Sequence, residues 1–211
     1  MRDLPVFTTE NGVASLVLKE IPYRGEAYIR IQDTLLPQQL LEECVGFCRA
    51  AGAEKIYAAG HPVCETYPIH TKILHMSGNC PEEESEGKLF PVQEHSLQAW
   101  LDIYNEKMGS VDNASYMTRS QGLDFVKKGY AYFIHRDSVL MGIAAVKESE
   151  ILAVASCVSG GGRQIISALC QSLGIDQPEL DVASTNQKAL NLYESMGFIK
   201  TCEISTWYCV R

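Results

Sequence analysis

The chain has 211 residues, of which 46% are hydrophobic and 21% charged. These are ordinary proportions for a globular protein, with length enough for one large domain or two small ones. A net charge of −8 argues against nucleic acid or anionic lipid as a general partner. No apolar run approaches the roughly 18 residues of a membrane span, and the opening MRDLPVFTTE has no apolar signal core, so a cytoplasmic protein is expected.

Ser15–Leu18 and Glu26–Ile31 read as strands, the second alternating, with Pro22–Gly25 as the turn between them. Asp33-Thr34 can open a helix whose first turn suits Pro37. Leu40, Leu41, Cys44, Val45, Phe47 and Cys48 then recur at helical spacing until Ala51-Gly52. Lys55–Ala59 is a further strand, ending at Gly60. This α/β unit, 1–80, is followed by the acidic Pro81–Lys88, read as a solvated linker that carries the domain boundary over 81–90.

Eight cysteines occur without a C-x-x-C pair, and Cys157, Cys170, Cys202 and Cys209 lie in apolar runs. Buried, reduced thiols are the expectation. His61, Cys64, His70, His75 and Cys80 form the one cluster of metal-ligating types, but their spacing matches no finger or ribbon, so no metal is expected.

Beyond the linker, Leu97, Trp100, Leu101, Ile103 and Tyr104 make an amphipathic helix ending near Gly109. Thr118 or Ser120 can cap a second helix carrying Leu123, Phe125 and Val126 up to Gly129. Tyr130–His135 and Val139–Val146 are strands joined by the hairpin turn Arg136-Asp137-Ser138. Next come the apolar strand ILAVASCV from Ile151, the run Ser159-Gly160-Gly161-Gly162-Arg163-Gln164, and a helix with Ile165, Ile166, Leu169 and Leu173 on one face. Strand, glycine turn and helix in that order suit an anion, because the first helical turn has unpartnered N–H groups and the positive end of the dipole. The spacing is neither that of a P-loop nor that of a dinucleotide fingerprint. A strand at 179–185 and an extended segment over 198–210 complete the chain.

Between them Asn186, Ala189, Leu192, Tyr193, Gly197 and Phe198 fall in N-x-x-A-x-x-L-Y-x-x-x-G-F. With these residues the sequence, over about 91–211, resembles the GNAT superfamily of N-acetyltransferases. On that family's V-x-P-x-x-R-G-x-G-x-G pattern, Val154, Gly160 and Gly162 match, whereas Ser156, Ser159 and Gln164 replace its Pro, Arg/Gln and Gly/Ala. The resemblance implies the α/β (α+β) GNAT acyl-CoA N-acyltransferase fold, a mixed, mostly antiparallel twisted sheet flanked by helices. It implies acetyl-CoA as co-substrate and transfer of the acetyl group to a primary amine of a small molecule or peptide in a ternary complex. Pantetheine would pair with the backbone around Val154, and the pyrophosphate would lie on Gly160, Gly161, Gly162, Arg163 and Gln164. Asn186 would face the cofactor, and Tyr193 would give a proton to the leaving thiolate.

The base is not identified by the resemblance. Glu148 is the candidate carried forward, with Glu150, Cys157 and His135 as others near the strand. By layout, strand–helix–strand, residues 1–80 read as a degenerate partial copy of the same fold, with Leu35-Leu36-Pro37 where a phosphate loop would stand. A homodimer is compatible with this reading. The eroded loop positions keep a second reading open, a GNAT-fold CoA- or ligand-binding regulatory protein without turnover.

Overall fold

Period-two runs become strands and 3.6-period runs become helices in the computed structural model, which describes residues 5–81 and 84–211. The chain forms two units, 1–73 with 204–211, and 74–203. The segment 81–90 therefore falls inside the second unit, not between the two. Glu82 and Glu83 of that expected linker lie outside the described residues. Its described part is attached to the unit: the Ser85 N–H donates to Gln171 Oε1 at 2.9 Å and its hydroxyl to the Gln164 carbonyl at 3.1 Å.

In the first unit β1 (Val6–Thr9), β2 (Gly12–Val17) and β3 (Glu26–Thr34) are antiparallel neighbours. Between β2 and β3 the expected turn is a one-turn helix, α1 (Ile21–Arg24), closed by Gly25 at φ 68°. The expected helix start at Asp33-Thr34 is overridden, because Thr34 and Asp33 pair with Gly12 and Val13 and stay extended. α2 (Pro37–Ala50) starts at the proline instead. It crosses to β4 (Lys55–Ala59), which pairs with β3 in parallel from Glu26↔Lys55 to Arg30↔Ala59. Leu40, Leu41, Cys44 and Cys48 line the buried face of α2 and pack on Leu16, Ile29 and Ile56.

The second unit has β5 (Ile69–Ser77) from Leu74 on, β6 (Lys88–Pro91), α3 (Leu97–Met108), α4 (Arg119–Lys127), β7 (Ala131–Arg136) and β8 (Val139–Lys147). β9 (Glu150–Ser156), α5 (Gly162–Leu173), β10 (Glu179–Ala183) and α6 (Gln187–Ser195) follow. β11 (Ile199–Cys209) starts here and ends in the first unit, where Tyr208 and Cys209 pair with Ala58 and Tyr57. Strand order is β5-β10-β9-β8-β7-β6, with β9 and β10 parallel and β6 to β9 antiparallel. β5 and β6 lie outside the strands expected from the sequence, one in the His/Cys-rich stretch and the other at the end of the polar one.

Two cores sandwich this sheet. On one face α5 buries Ile165, Ile166 and Leu169 against Ile134, Ile151 and Leu180. On the other α3 buries Leu97, Trp100 and Leu101 against Ile143, Ala153 and Ala155. Thr118 caps α4 reciprocally with Gln121, whose side chain accepts from the Thr118 N–H at 2.9 Å.

All eight cysteines are free, and Cys44, Cys48, Cys64 and Cys170 are buried as expected, whereas Cys157 and Cys202 are exposed. Cys202 stands in the part of β11 whose residues are exposed in unbroken succession. The His/Cys cluster is not gathered. His61 Nδ1 accepts from the Val63 N–H, His70 stacks on Tyr57 and His75 bonds Asp181. Among the described residues no group of three or more His, Cys, Asp or Glu is arranged to hold a metal. No described helix is long and apolar enough to cross a membrane.

Candidate active site

β9 and β10 are joined by only two residue pairs, Glu179↔Glu150 and Leu180↔Ile151. β9 continues to Ser156 and β10 to Ala183 without further pairing between them. The two strands therefore part toward their C-terminal ends, and the edge of β9 beyond Ile151 is left open. The Cys157 N–H donates to the Met141 carbonyl of β8 at 2.8 Å. Strand alternation then turns the backbone groups of Ser156 and Val154 the other way, toward the open edge. Val154 pairs with Ala144 across β8 and packs its side chain into the core under α5.

The loop after β9 is built by local bonds. The Ser156 hydroxyl donates to the Val158 carbonyl at 2.6 Å, and the Gly161 N–H closes on the same carbonyl at 3.2 Å. α5 then begins at Gly162 with no side chain capping it, so the N–H groups of Gly162, Arg163 and Gln164 have no intrahelical acceptor. The three glycines have different reasons. Gly160 has φ 75° with open space around its missing Cβ. A Cβ on Gly161 would come within 2.8 Å of Ser156 Oγ, and one on Gly162 within 2.6 Å of Leu192 Cδ2. Gly162 thus serves the close approach of α5 to α6, and Gly160 is the residue whose left-handed backbone shapes the turn. Gly160→Val is expected to cost on the order of 1–2 kcal/mol, since a Cβ is disfavoured at that φ. A urea titration of the variant checks this, and an unchanged midpoint would remove the strain argument.

Arg163 and Gln164 do not act alike. The Arg163 guanidinium donates to the Ser195 carbonyl and hydroxyl, both at 2.9 Å, fastening the start of α5 to the end of α6. Gln164 is exposed, and its Oε1 accepts from Arg136 Nη1 at 2.9 Å. Arg136 comes from the β7–β8 hairpin, where Asp137 and Ser138 both have positive φ, 49° and 66°, the backbone of a type I′ turn. With Asp137, Ser159, Gly160, Gly161 and Gln164 it lines a pocket of about 370 Å³. The cation facing the glycine loop is therefore Arg136, which in the sequence is only a turn residue.

Tyr193 lies on α6, half-buried, against the core under α5, its ring 5.7 Å from that of Phe198. Burial pushes its phenol up to about 12, so the hydroxyl keeps its hydrogen throughout the neutral range. Asn186 is the N-cap of α6, its Oδ1 accepting from the Ala189 N–H at 3.3 Å.

Glu148 does not reach the opening. It occupies the β8–β9 turn at φ 56°, before the paired end of the two strands. Ser156 is eight residues further on, about 26 Å along a strand. Glu150 sits at the paired end as well. His135 lies on β7 beside Phe90, lining a neighbouring pocket of about 580 Å³ with Lys88, its Nδ1 buried without a hydrogen-bond partner among the described residues. Burial raises the Cys157 thiol against the lowering effect of Lys107. Glu148 and Glu150 thus stand at the paired end, and His135 stands on β7, two strands away from β9.

The fold has close counterparts among solved structures. A GCN5-related N-acetyltransferase from Sphaerobacter thermophilus matches 94% of this chain and 76% of its own, with TM-score 0.57 and 12% identity. An acetyltransferase of the GNAT family from Colwellia psychrerythraea matches 98% and 84%, with TM-score 0.54 and 12% identity. A GCN5-related N-acetyltransferase from Anabaena variabilis gives TM-score 0.62 at 9% identity, over 94% of this chain and 59% of its own. No protein-family model and no curated protein matches the sequence. The chain has the fold of the GCN5-related N-acetyltransferases, a mixed sheet flanked by helices.

Proposed function

We propose that the protein is an N-acetyltransferase that moves an acetyl group from acetyl-CoA to a primary amine by direct attack. The observation that carries this reading is the parting of β9 from β10 after two residue pairs, directly before a glycine loop that opens α5. An extended thioester arm is complementary to such a gap. Its amides can pair with the free edge at Val154 and Ser156, as an added strand does. At the loop end, the N–H groups of Gly162, Arg163 and Gln164 and the dipole of α5 suit a pyrophosphate, and Arg136 adds a guanidinium. Asn186 contributes by fixing the start of α6, and Tyr193 contributes an un-ionised phenol for the leaving sulfur. Acetyl-CoA would supply the activated acyl group. The chain would hold its two ends and donate the proton.

The first unit is read as a degenerate copy of the same layout. Its parallel β3–α2–β4 crossover repeats β9–α5–β10, with exposed Leu35 and Leu36 in place of glycines. Reduced thiols suit a cytoplasmic setting. The test is a melting-temperature titration with CoA followed by turnover on a panel of amines. CoA at a hundred times its dissociation constant should stabilise the native state by about 2.7 kcal/mol. No shift at millimolar CoA would overturn the reading. A second reading, a CoA-binding protein without turnover, is favoured by one observation: the loop's own arginine is committed to Ser195. A CoA shift with no product from any amine would support it.

A further inference from the structure

A histidine–aspartate pair stands on the face of the second unit's sheet that α5 does not cover. Leu180 and Val182 of β10 and Leu74 and Met76 of β5 are buried in the core under α5. Alternation therefore turns Glu179, Asp181 and His75 to the other face. There His75 Nδ1 lies 2.8 Å from Asp181 Oδ1, and its Nε2 lies 3.8 Å from Glu179 Oε2. The imidazole is 27% exposed and each carboxylate 46%, so the group is open to a ligand. Asp181 is the residue after Leu180, the last of β10 to pair with β9. The pair thus stands where the two strands begin to part.

We propose that His75 is the base that accepts the amine proton, with Asp181 as the positioning residue that holds its ring; this rests on the acetyl-transfer reading above and supplies its acceptor side. A carboxylate only accepts, so the hydrogen in the 2.8 Å contact sits on Nδ1; in the neutral ring Nε2 then carries the lone pair that can take a proton. Glu179 beside Nε2 adds negative charge that attracts a cationic amine and disfavours an acidic acceptor. The acceptor reacts as its free base. Its nitrogen bonds to the thioester carbon, the carbon–sulfur bond breaks, and the electron pair leaves on sulfur. Nε2 takes one N–H proton and the Tyr193 hydroxyl gives one to the thiolate. The imidazolium and the phenolate then exchange a proton through water, which leaves amide and free CoA thiol. Thr201 of β11 donates to the His75 carbonyl at 3.2 Å. The charged side chains nearby in sequence are Lys200 and Glu203 on β11 and Lys72 on β5 itself.

The test uses the full chain with acetyl-CoA and an amine that it turns over, and reads kcat/KM against pH. His75→Gln should lower kcat/KM for the amine by about 10²–10⁴-fold. Its CoA-induced melting shift should equal that of the unmodified protein. Asp181→Asn should give a smaller loss, carried by kcat and not by KM. Added imidazole should restore part of the rate of His75→Ala, which separates lost chemistry from lost folding. A His75→Gln enzyme with the original rate would overturn the assignment while leaving the transferase reading intact. A protein that shows no CoA shift and no turnover would overturn both.

Discussion

On the proposed acetyl transfer, Tyr193→Phe should slow the chemical step by about 10²–10³-fold, in the range of single acid–base groups, while CoA binds as before. The phenylalanine keeps the ring that packs on Phe198 and the core under α5, so the change removes one oxygen and little else. On the proposed reaction that oxygen gives the proton to the leaving sulfur. Burial pushes the phenol up to about 12, so the hydrogen is available to a sulfur that becomes negative only as the carbon–sulfur bond breaks. A thiolate in water is a weaker base, with a thiol near 8.5, but in the same apolar surroundings its charge is also poorly solvated and its demand for a donor rises. The sign for pH follows. Because the phenol is raised and stays neutral, its donor capacity persists through the physiological range and is lost only as pH climbs toward 12. Single-turnover rates of the variant against the parent protein check the claim, and equal rates would show that the hydroxyl has no part in the chemistry.

Trp100→Ala should destabilise the second unit by about 3–5 kcal/mol, the cost of removing a large side chain from a filled core. Trp100 is fully buried at 0% exposure, stacks on Tyr104 with centroids 5.3 Å apart, and donates its Nε1–H to the Tyr132 carbonyl at 3.2 Å. The alanine would leave a cavity and remove the hydrogen bond that ties α3 to β7. That loss is a large share of a domain's typical 5–15 kcal/mol. Trp100→Phe, which keeps most of the volume and loses only the hydrogen bond, should cost nearer 1 kcal/mol. The consequence reaches the site, because Ala153 and Ala155 of β9 pack in the same core as Trp100. The strand with the open edge is therefore held from behind by α3. Urea unfolding midpoints of the two variants separate the terms, and a loss below about 1 kcal/mol for the alanine would mean that the site collapses without penalty.

Much of the second unit is written in local patterns. The helical spacing of Leu97, Trp100, Leu101 and Tyr104 gives α3, and the two residues Asp137-Ser138 give the hairpin. Asn186 gives the cap of α6, because a short side-chain acceptor satisfies an orphan N–H wherever the chain turns helical. The glycine run marks the loop after β9, since left-handed φ at Gly160 is available to glycine at little steric cost. Each of these depends on neighbours within four residues.

Other features depend on partners remote in sequence, and only the tertiary structure decides them. Glu148 is only two residues from β9 in sequence, yet the hairpin puts it at the closed end of the strand pair. Arg163 stands in the loop but serves Ser195, whereas Arg136, 28 residues from Gln164, faces the glycines. His75 meets Asp181 across 106 residues, because β5 is inserted beside β10 and alternation turns both side chains to one face. The sequence by itself determined α3, the β7–β8 hairpin, the cap of α6 and the glycine loop, because backbone propensity, capping and glycine freedom are local. Which charged groups surround the gap, and which of them stand too far away, was decided by strand order and register. Those are fixed by burying apolar faces over the whole unit, and no short motif encodes them.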